Sequence, residues 1–368
     1  MADYPPLTAL GLMSGTSLDG IDAAVIVSDG VQLTKIGAVG SFPYDQFFRE
    51  ELRSCLGKSS DGPGVANVAQ ELTSRHVKAV KDVLKKNNLE ASDIDLVGFH
   101  GHTTLHSPQN QLTVQIGNPA ILAKETGIRV IGDFRSNDVA EGGEGAPLAP
   151  LFHHALCAEL EKPVAVLNIG GVANVTWIGE GGNYESPNIM AFDTGPGNAL
   201  IDDWTSITTG CSMDEGGQLA RKGRVHKQIL KGLLKDSYFS RTPPKSLDRD
   251  EFSMAIQAVS GLSVEDGAAT LSALSVYSIG IARNFFPEAA KRWLVTGGGR
   301  HNSTMMDMLN KHVGGGVEPV EAINFNGDAL EAQAFAFLAI RSFYGLPLSF
   351  PKTTKAPRPM PGGTLFEF

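Results

Sequence analysis

The sequence predicts a two-domain α/β protein carrying a duplicated strand, glycine-turn, strand unit, and three observations lead there. Its 368 residues are more than one ordinary domain needs and suit two, with enough chain to bury a sizeable core. Short apolar runs alternate with segments of helical period, the pattern of layered α/β folds. A glycine-centred hairpin near the start is matched by a second one at the head of the second half.

In chain order, residues 8–13 form a short apolar run, Ser14-Gly15-Thr16-Ser17 breaks it, and β-branched residues resume at 21–27, which reads as a β-hairpin. Residues 65–89 place Val65, Val68, Leu72, Val77, Val80, Val83 and Leu84 at helical spacing among charged residues, the signature of an amphipathic helix. Residues 95–100, 112–116 and 130–132 read as strands, the last leading into a Gly-rich segment at 132–149. Residues 164–169, the turn Gly170-Gly171 and residues 173–178 repeat the opening hairpin. Helices are expected at 197–208, 266–286, 303–312 and 328–344, with a strand at 293–296 before Gly297-Gly298-Gly299. Residues 237–252, with Pro243-Pro244 and alternating charges, read as a surface loop or lid, and the Pro-rich stretch 351–363 as irregular.

Composition narrows the function. Hydrophobic residues at 42% and charged residues at 19% exclude a disordered chain. The 42 glycines exceed the usual share of about 7% and cluster where backbone must turn tightly or approach a ligand. A net charge of -9 offers no basic footprint for nucleic acid or acidic lipid, so small-molecule partners are expected. Cys55, Cys157 and Cys211 have no C-x-x-C spacing, which suits a reducing compartment. No stretch approaches the ~18 apolar residues of a membrane span and the start lacks a secretory pattern; a cytoplasmic protein is expected.

Neither a P-loop nor a dinucleotide fingerprint is present. Phosphate would have to be held by hairpin tips such as Gly15-Thr16-Ser17, whose successive N–H groups and hydroxyls suit an anion; small-residue tips are also common without ligands. Asp193, in Phe192-Asp193-Thr194-Gly195-Pro196-Gly197-Asn198, is either a general base or the cap of the helix that follows, and spacing alone does not choose. Arg135 suits a bidentate grip on an anion or a structural salt bridge with Asp133 or Asp138. His100, His102 and His106 lack a further ligand at metal spacing and read as core or substrate contacts, and Met305, Met306 and Met308 as helix packing.

Taken together, residues 13–22, Gly132-Asp133-Phe134-Arg135 running into Gly145-Ala146-Pro147-Leu148, Asn168 to Asn174 and Phe192 to Asn198 resemble the anhydro-N-acetylmuramic acid kinase family over nearly the whole chain. The resemblance implies the duplicated ribonuclease-H-like architecture of actin, hexokinase and Hsp70, with ATP in an interdomain cleft. Domain I would be 1–135 plus 345–368, and domain II 136–344. It further implies that Gly15, Thr16, Ser17, Leu18, Asp19, Gly20, Ile21 and Asp22 form the nucleotide phosphate loop, Gly170 and Gly171 a second one, and Gly297, Gly298 and Gly299 the adenosine side. Arg135 and His102 would contact the sugar, Asp193 would be the catalytic base, and Asp19 and Asp22 would orient water on Mg²⁺. The implied reaction converts 1,6-anhydro-N-acetylmuramic acid, ATP and water into N-acetylmuramic acid 6-phosphate and ADP in peptidoglycan recycling, by a homodimer. His102 and Glu144 stand where the family pattern leads one to expect glutamines, which bears on sugar preference. Rival readings are another sugar kinase of the same architecture, in which Asp193 activates a substrate hydroxyl directly, and a non-catalytic actin-like ATP-responsive module.

Overall fold

A computed structural model describes residues 4–15, 17–314 and 316–368. Thr16, expected in the first phosphate loop, lies outside the described residues. The chain divides into two compact units: Met1–Glu159 with Gly182–Pro187 and Ala329–Phe368, and Leu160–Gly181 with Asn188–Asp328.

In the first unit β1 (Leu7–Ser14), β2 (Gly20–Ser28) and β3 (Leu33–Pro43) make an antiparallel meander. β4 (Leu96–Ser107) runs parallel to β1, β5 (Leu112–Ile116) folds back on β4, and β6 (Val130–Gly132) runs parallel to β4. A last strand, β12 (Thr364–Phe366), pairs antiparallel with β6, giving the order β12-β6-β4-β1-β2-β3. The helices of this unit are α1 (Gln46–Ser54), α2 (Val65–Lys86), α3 (Pro119–Thr126), α4 (Ser136–Ala140), α5 (Pro150–Leu156), and, after the second unit, α12 (Leu330–Phe343) and α13 (Pro351–Thr354).

Two glycines decide where α12 lies. Gly11 on β1 and Gly98 on β4 are register partners. A Cβ on Gly11 would sit 1.8 Å from the Ala332 carbonyl oxygen, and one on Gly98 2.2 Å from that of Phe335. Only a side-chain-free strip on the sheet lets the helix backbone approach so closely. The opposite face takes the amphipathic α2, whose Val65, Val68, Leu72, Val80 and Val83 join Leu10, Leu12, Phe48 and Phe99 in one core.

The second unit repeats the plan. β7 (Val164–Ile169) and β8 (Val172–Gly182) are an antiparallel hairpin flanked by β9 (Pro187–Pro196), and β10 (Arg292–Thr296) runs parallel to β7 and to β11 (Gly316–Pro319). The order is β11-β10-β7-β8-β9. Both sheets therefore place a three-strand run from a glycine hairpin on one side and later parallel strands on the other, which is the expected duplicated ribonuclease-H-like α/β architecture. The helices are α6 (Ala199–Thr209), α7 (Gln218–Lys222), α8 (Lys227–Leu233), α9 (Met254–Val259), α10 (Val264–Ala282) and α11 (Ser303–Val313). α10 is apolar nearly all round and buried along most of its length, as a core helix must be; Met305 is in that core with Met306 and Met308 against it.

The stretch 237–252 is not the free loop its prolines suggest. Tyr238, Phe239 and Phe252 are buried, with Tyr238 edge-on to both phenylalanines and these two tilted against each other, anchoring both ends in the core. The Pro-rich tail also holds more order than expected, since α13 lies within it and β12 follows directly.

Candidate functional site

The residues singled out in the sequence fall into two groups, one in each unit. In the first, the β1–β2 hairpin tip turns through Leu18, whose N–H donates to the Gly15 carbonyl at 3.1 Å while its φ is 59°. Leu18 and Ile21 are buried and root the tip, whereas Ser17 and Asp19 are exposed, with Ser17 Oγ donating to Asp19 Oδ1 at 2.7 Å. Gly20 is required by the fold, because a Cβ there would meet the Phe42 carbonyl oxygen at 2.5 Å. Gly15 is not: a Cβ would find its nearest atom, Ser17 Oγ, at an ordinary 3.6 Å. Behind the tip Tyr44 Oη donates to Ser14 Oγ at 2.8 Å, and Ser14 Oγ lies 3.0 Å from Nδ1 of His102, which is fully buried.

Arg135 follows β6 and precedes α4. Its Nε donates to Nε2 of His100 at 3.1 Å and its Nη1 to the Gly145 carbonyl at 2.6 Å. These partners leave the guanidinium half-buried over the Phe335 ring, 6.0 Å from its centroid. Burial lowers its pKa to about 10, opposed by the charges of Glu331 and Asp138, so it is a cation at neutral pH. Burial and the neighbouring Arg135 charge hold His100 well below the usual imidazole range. His100 is therefore neutral, with its Nδ1–H on the Gly101 carbonyl and its Nε2 lone pair on Arg135.

Sequence reading named Asp138 only as a possible ion partner of Arg135; its carboxylate instead organises the loop that Arg135 grips. It is buried, with Oδ1 accepting from Gly145 N–H at 2.7 Å and Oδ2 from Thr354 Oγ1 at 2.6 Å and from Ser349 Oγ. Two of those donors come from the far end of the chain, so no local pattern could have revealed it. The three histidines do not converge: His100 meets Arg135, His102 meets Ser14, and His106 Nδ1 lies 3.0 Å from Thr113 Oγ1. No group of three His, Cys, Asp or Glu that could hold a metal occurs among the described residues.

In the second unit Gly170, Gly171 and Gly297 to Gly299 do come together. The Gly171 carbonyl accepts from Gly197 and Ala199 N–H, the Gly170 carbonyl from Asn198 N–H at 2.8 Å, and Asn198 Nδ2 donates to the Ile169 carbonyl at 3.1 Å. The second hairpin is thus tied to the first turn of α6. Gly297 and Gly299 pack on the end of β7, where added Cβ atoms would meet Asn168 Oδ1 at 2.3 Å and Ile169 Cγ2 at 2.4 Å. Gly170, Gly171 and Gly298 differ, since a Cβ at each would have its nearest neighbour at 3.6, 3.6 and 3.8 Å. Their backbones also avoid positive φ. Packing does not require glycine at these three positions or at Gly15; close approach of a ligand to the backbone would.

Asp193 lies on β9, not at a helix cap. The N-cap of α6 is Asn198. The Asp193 carboxylate is half-buried, and its Oδ2 accepts from Leu247 N–H at 2.8 Å. Its backbone N–H donates to the Lys245 carbonyl at 3.0 Å and its carbonyl accepts from Tyr238 Oη at 2.7 Å. The segment read as a lid is therefore what fixes the carboxylate. Lys245 Nζ sits 4.5 Å from the Tyr238 ring and 4.9 Å from that of Phe285, and burial with the Arg241 charge lowers its pKa to about 8, opposed by Asp193.

Two copies of one α/β plan, each ending its first strand in a glycine hairpin, define the duplicated ribonuclease-H-like class. A family model described as anhydro-N-acetylmuramic acid kinase matches residues 7–367. A protein of that name from Paramagnetospirillum magneticum is 50% identical over 97% of this chain and 99% of its own, and one from Rhodospirillum rubrum is 50% identical over 97% and 93%. Among solved structures, component A of the (R)-2-hydroxyglutaryl-CoA dehydratase of Acidaminococcus fermentans is similar at 14% identity and a TM-score of 0.47, over 91% of this chain and 98% of that one. The chain belongs to the anhydro-N-acetylmuramic acid kinase family and is a kinase. No helix among the described residues is long and apolar enough to cross a membrane.

Proposed function

We propose that the protein uses ATP and water to open 1,6-anhydro-N-acetylmuramic acid and phosphorylate its O6, giving N-acetylmuramic acid 6-phosphate and ADP. It does so in the cytoplasm, as a homodimer, in the recycling of cell-wall sugar. The observation that carries the mechanism is Asp193: a carboxylate on β9, ahead of α6 rather than at its N-cap position, with Oδ2 accepting from Leu247 N–H. Asp193 takes a proton from a water molecule as that water forms a bond to C1. The C1–O6 bond breaks, the O6 electron pair attacks the γ-phosphorus, and the bond to the β-phosphate oxygen breaks to leave ADP. The transferred phosphoryl group takes up the charge on O6, so the second carboxylic acid of a glycosidase is not needed.

Arg135, charged and held in orientation by His100 and Gly145, grips the sugar. His102, buried behind the first hairpin, acts on that hairpin through Ser14. Gly15, Ser17, Leu18, Gly20 and Ile21 shape the first phosphate contact, Gly170 and Gly171 the second, and Gly297 to Gly299 the adenosine side. The four glycines that packing does not require support this assignment. Mg²⁺ neutralises phosphate oxygens when bound. Asp19 and Asp22 fit a site of one or two carboxylates completed by phosphate and water, the usual protein contribution for this ion.

Asp193→Asn keeps the side chain's shape and its acceptor for Leu247 N–H while removing the base. Folding and nucleotide binding should persist, and turnover should fall roughly 10²–10⁴-fold. A variant with more than a tenth of normal turnover would remove Asp193 from this role.

A further inference from the structure

Three residues of the second unit close a ring of hydrogen bonds on the carboxylate-bearing strand. The Asp193 N–H donates to the Lys245 carbonyl at 3.0 Å, Lys245 Nζ donates to the Tyr238 carbonyl at 2.9 Å, and Tyr238 Oη donates to the Asp193 carbonyl at 2.7 Å. Each of the three backbone carbonyls thus accepts from another member of the ring. Leu247 N–H, two residues beyond Lys245, reaches Asp193 Oδ2 at 2.8 Å. The ring fixes the 237–252 segment against β9, and that segment supplies the donor that orients the carboxylate.

Lys245 is the unusual member. Its Nζ lies 4.5 Å from the centroid of the Tyr238 ring, 4.9 Å from that of Phe285 and 5.9 Å from that of Phe192, the residue before Asp193. Ring faces within about 6 Å attract a cation electrostatically. A tie to one carbonyl needs only an N–H, whereas three rings around the nitrogen favour a charge. The charges acting on it are those of Arg241, paired with Glu251 at 3.3 Å in the same segment, and of Asp193 on β9. Burial keeps Tyr238 un-ionised, so its hydroxyl remains a donor.

We infer that Lys245, as an ammonium, is a positioning residue for Asp193: its charge holds the segment inward on the aromatic rings, and the segment holds Leu247 N–H on the carboxylate. The role rests on the reading of Asp193 as the base. Its consequence is a second ionisation in catalysis. Asp193 works only when ionised, which gives an acidic limb, and Lys245 only when charged, which gives an alkaline one. Burial and then the Arg241 charge bring Lys245 down to about 8 against the pull of Asp193, so the charged form predominates below that pH and is lost above it.

The test uses the full chain with ATP and 1,6-anhydro-N-acetylmuramic acid, following ADP release across pH. In parallel, NMR of ¹³C-labelled lysine reads the Lys245 titration, its signal assigned by its absence from Lys245→Arg. Wild-type kcat should fall as pH rises through about 8. Lys245→Met removes the charge and the donor. Its kcat at neutral pH should drop roughly 10- to 100-fold, with KM for ATP close to the wild-type value and no alkaline limb. Lys245→Arg keeps a cation at every pH tested and should also lack the limb. Asp193→Asn should lower the Lys245 midpoint, because an attracting charge has gone. A wild-type profile flat through pH 8, a Met variant with wild-type kcat, an alkaline limb that stays near pH 8 in either lysine variant, or a midpoint unmoved by Asp193→Asn overturns the inference. If Lys245→Met does not fold, the Arg variant and the NMR midpoint decide. The two failures are distinguishable. More than a tenth of normal turnover in Asp193→Asn sinks the base and the role of Lys245 with it, whereas wild-type kcat in Lys245→Met beside an inactive Asp193→Asn sinks the role of Lys245 alone.

Discussion

A methyl group added at Gly171 and one added at Gly297 should have opposite consequences, and the contrast separates a ligand's demands from the fold's. At Gly171 the new Cβ would lie 3.6 Å from the Ala199 Cβ, an ordinary contact, on backbone outside the left-handed region. Gly171→Ala should therefore leave stability unchanged or raise it by about 0.4–1 kcal/mol, through the lower entropy of the unfolded chain. At Gly297 the backbone sits at φ 75°, ψ 173°, a region open essentially to glycine alone, which costs another residue about 1–3 kcal/mol. The Cβ would also meet Asn168 Oδ1 at 2.3 Å and the Ile169 carbonyl oxygen at 2.7 Å, and overpacking of that kind adds about 1–3 kcal/mol. Gly297→Ala should thus lose about 2–6 kcal/mol. Urea unfolding supplies the stabilities and calorimetric titration with ADP the affinities. Gly171→Ala should unfold at the wild-type midpoint or above yet bind ADP at least ten-fold more weakly. Destabilisation comparable to that of Gly297→Ala, or wild-type affinity for ADP, would refute the reasoning that this glycine serves the nucleotide.

Two further outcomes follow from buried groups. Asp138→Ala removes the acceptor of Gly145 N–H and of the Ser349 and Thr354 hydroxyls; the hydroxyls can rotate but the amide is left unpaired, so the loss should be about 1–3 kcal/mol. It should also raise KM for the sugar more than for ATP, since Gly145 holds Arg135; an equal rise in both would contradict that link. Acid stability should depend on histidines: burial lowers His76 and His102 to about 4 and His153 to about 3. As pH falls from about 6.5 toward 4 the unfolded chain takes up protons that the folded one refuses, so stability present above that window is lost within it. Each of these groups can contribute up to about 1.4 kcal/mol per unit of pH. The urea midpoint should drop between pH 7 and pH 5, and drop less in His76→Gln; a flat profile would contradict the burial argument.

Much of this architecture is written locally. Gly170-Gly171 between two β-branched runs is a hairpin in sequence and in structure, and α2, α11 and α12 lie close to where their apolar periodicity puts them. β3 and β9 escaped notice for physical reasons. β3 alternates half-buried and exposed residues with glycines among them, and β9 ends in Asp-Thr-Gly-Pro, which reads as the approach to a helix rather than a strand. That misreading kept the capping role for Asp193 open until Asn198 proved to be the cap. The least legible features are contacts between distant segments. Nothing around Gly11 or Gly98 announces α12, Asp138 finds two of its donors more than 200 residues away, and the orientation of Arg135 depends on a histidine 35 residues upstream.

The central claim is that water attacks C1 while O6 receives the phosphoryl group. It is tested most directly by incubating the protein with ATP and 1,6-anhydro-N-acetylmuramic acid in ¹⁸O-labelled water. The reaction is quenched early, and the sugar product is compared by mass spectrometry with unlabelled product mixed into the same water without enzyme. The account predicts a phosphorylated sugar carrying one ¹⁸O at C1 beyond slow anomeric exchange, with ADP formed in equal amount and no label in the phosphoryl group. Intact anhydrosugar with unspent ATP, or ADP formed alongside labelled inorganic phosphate, would contradict it.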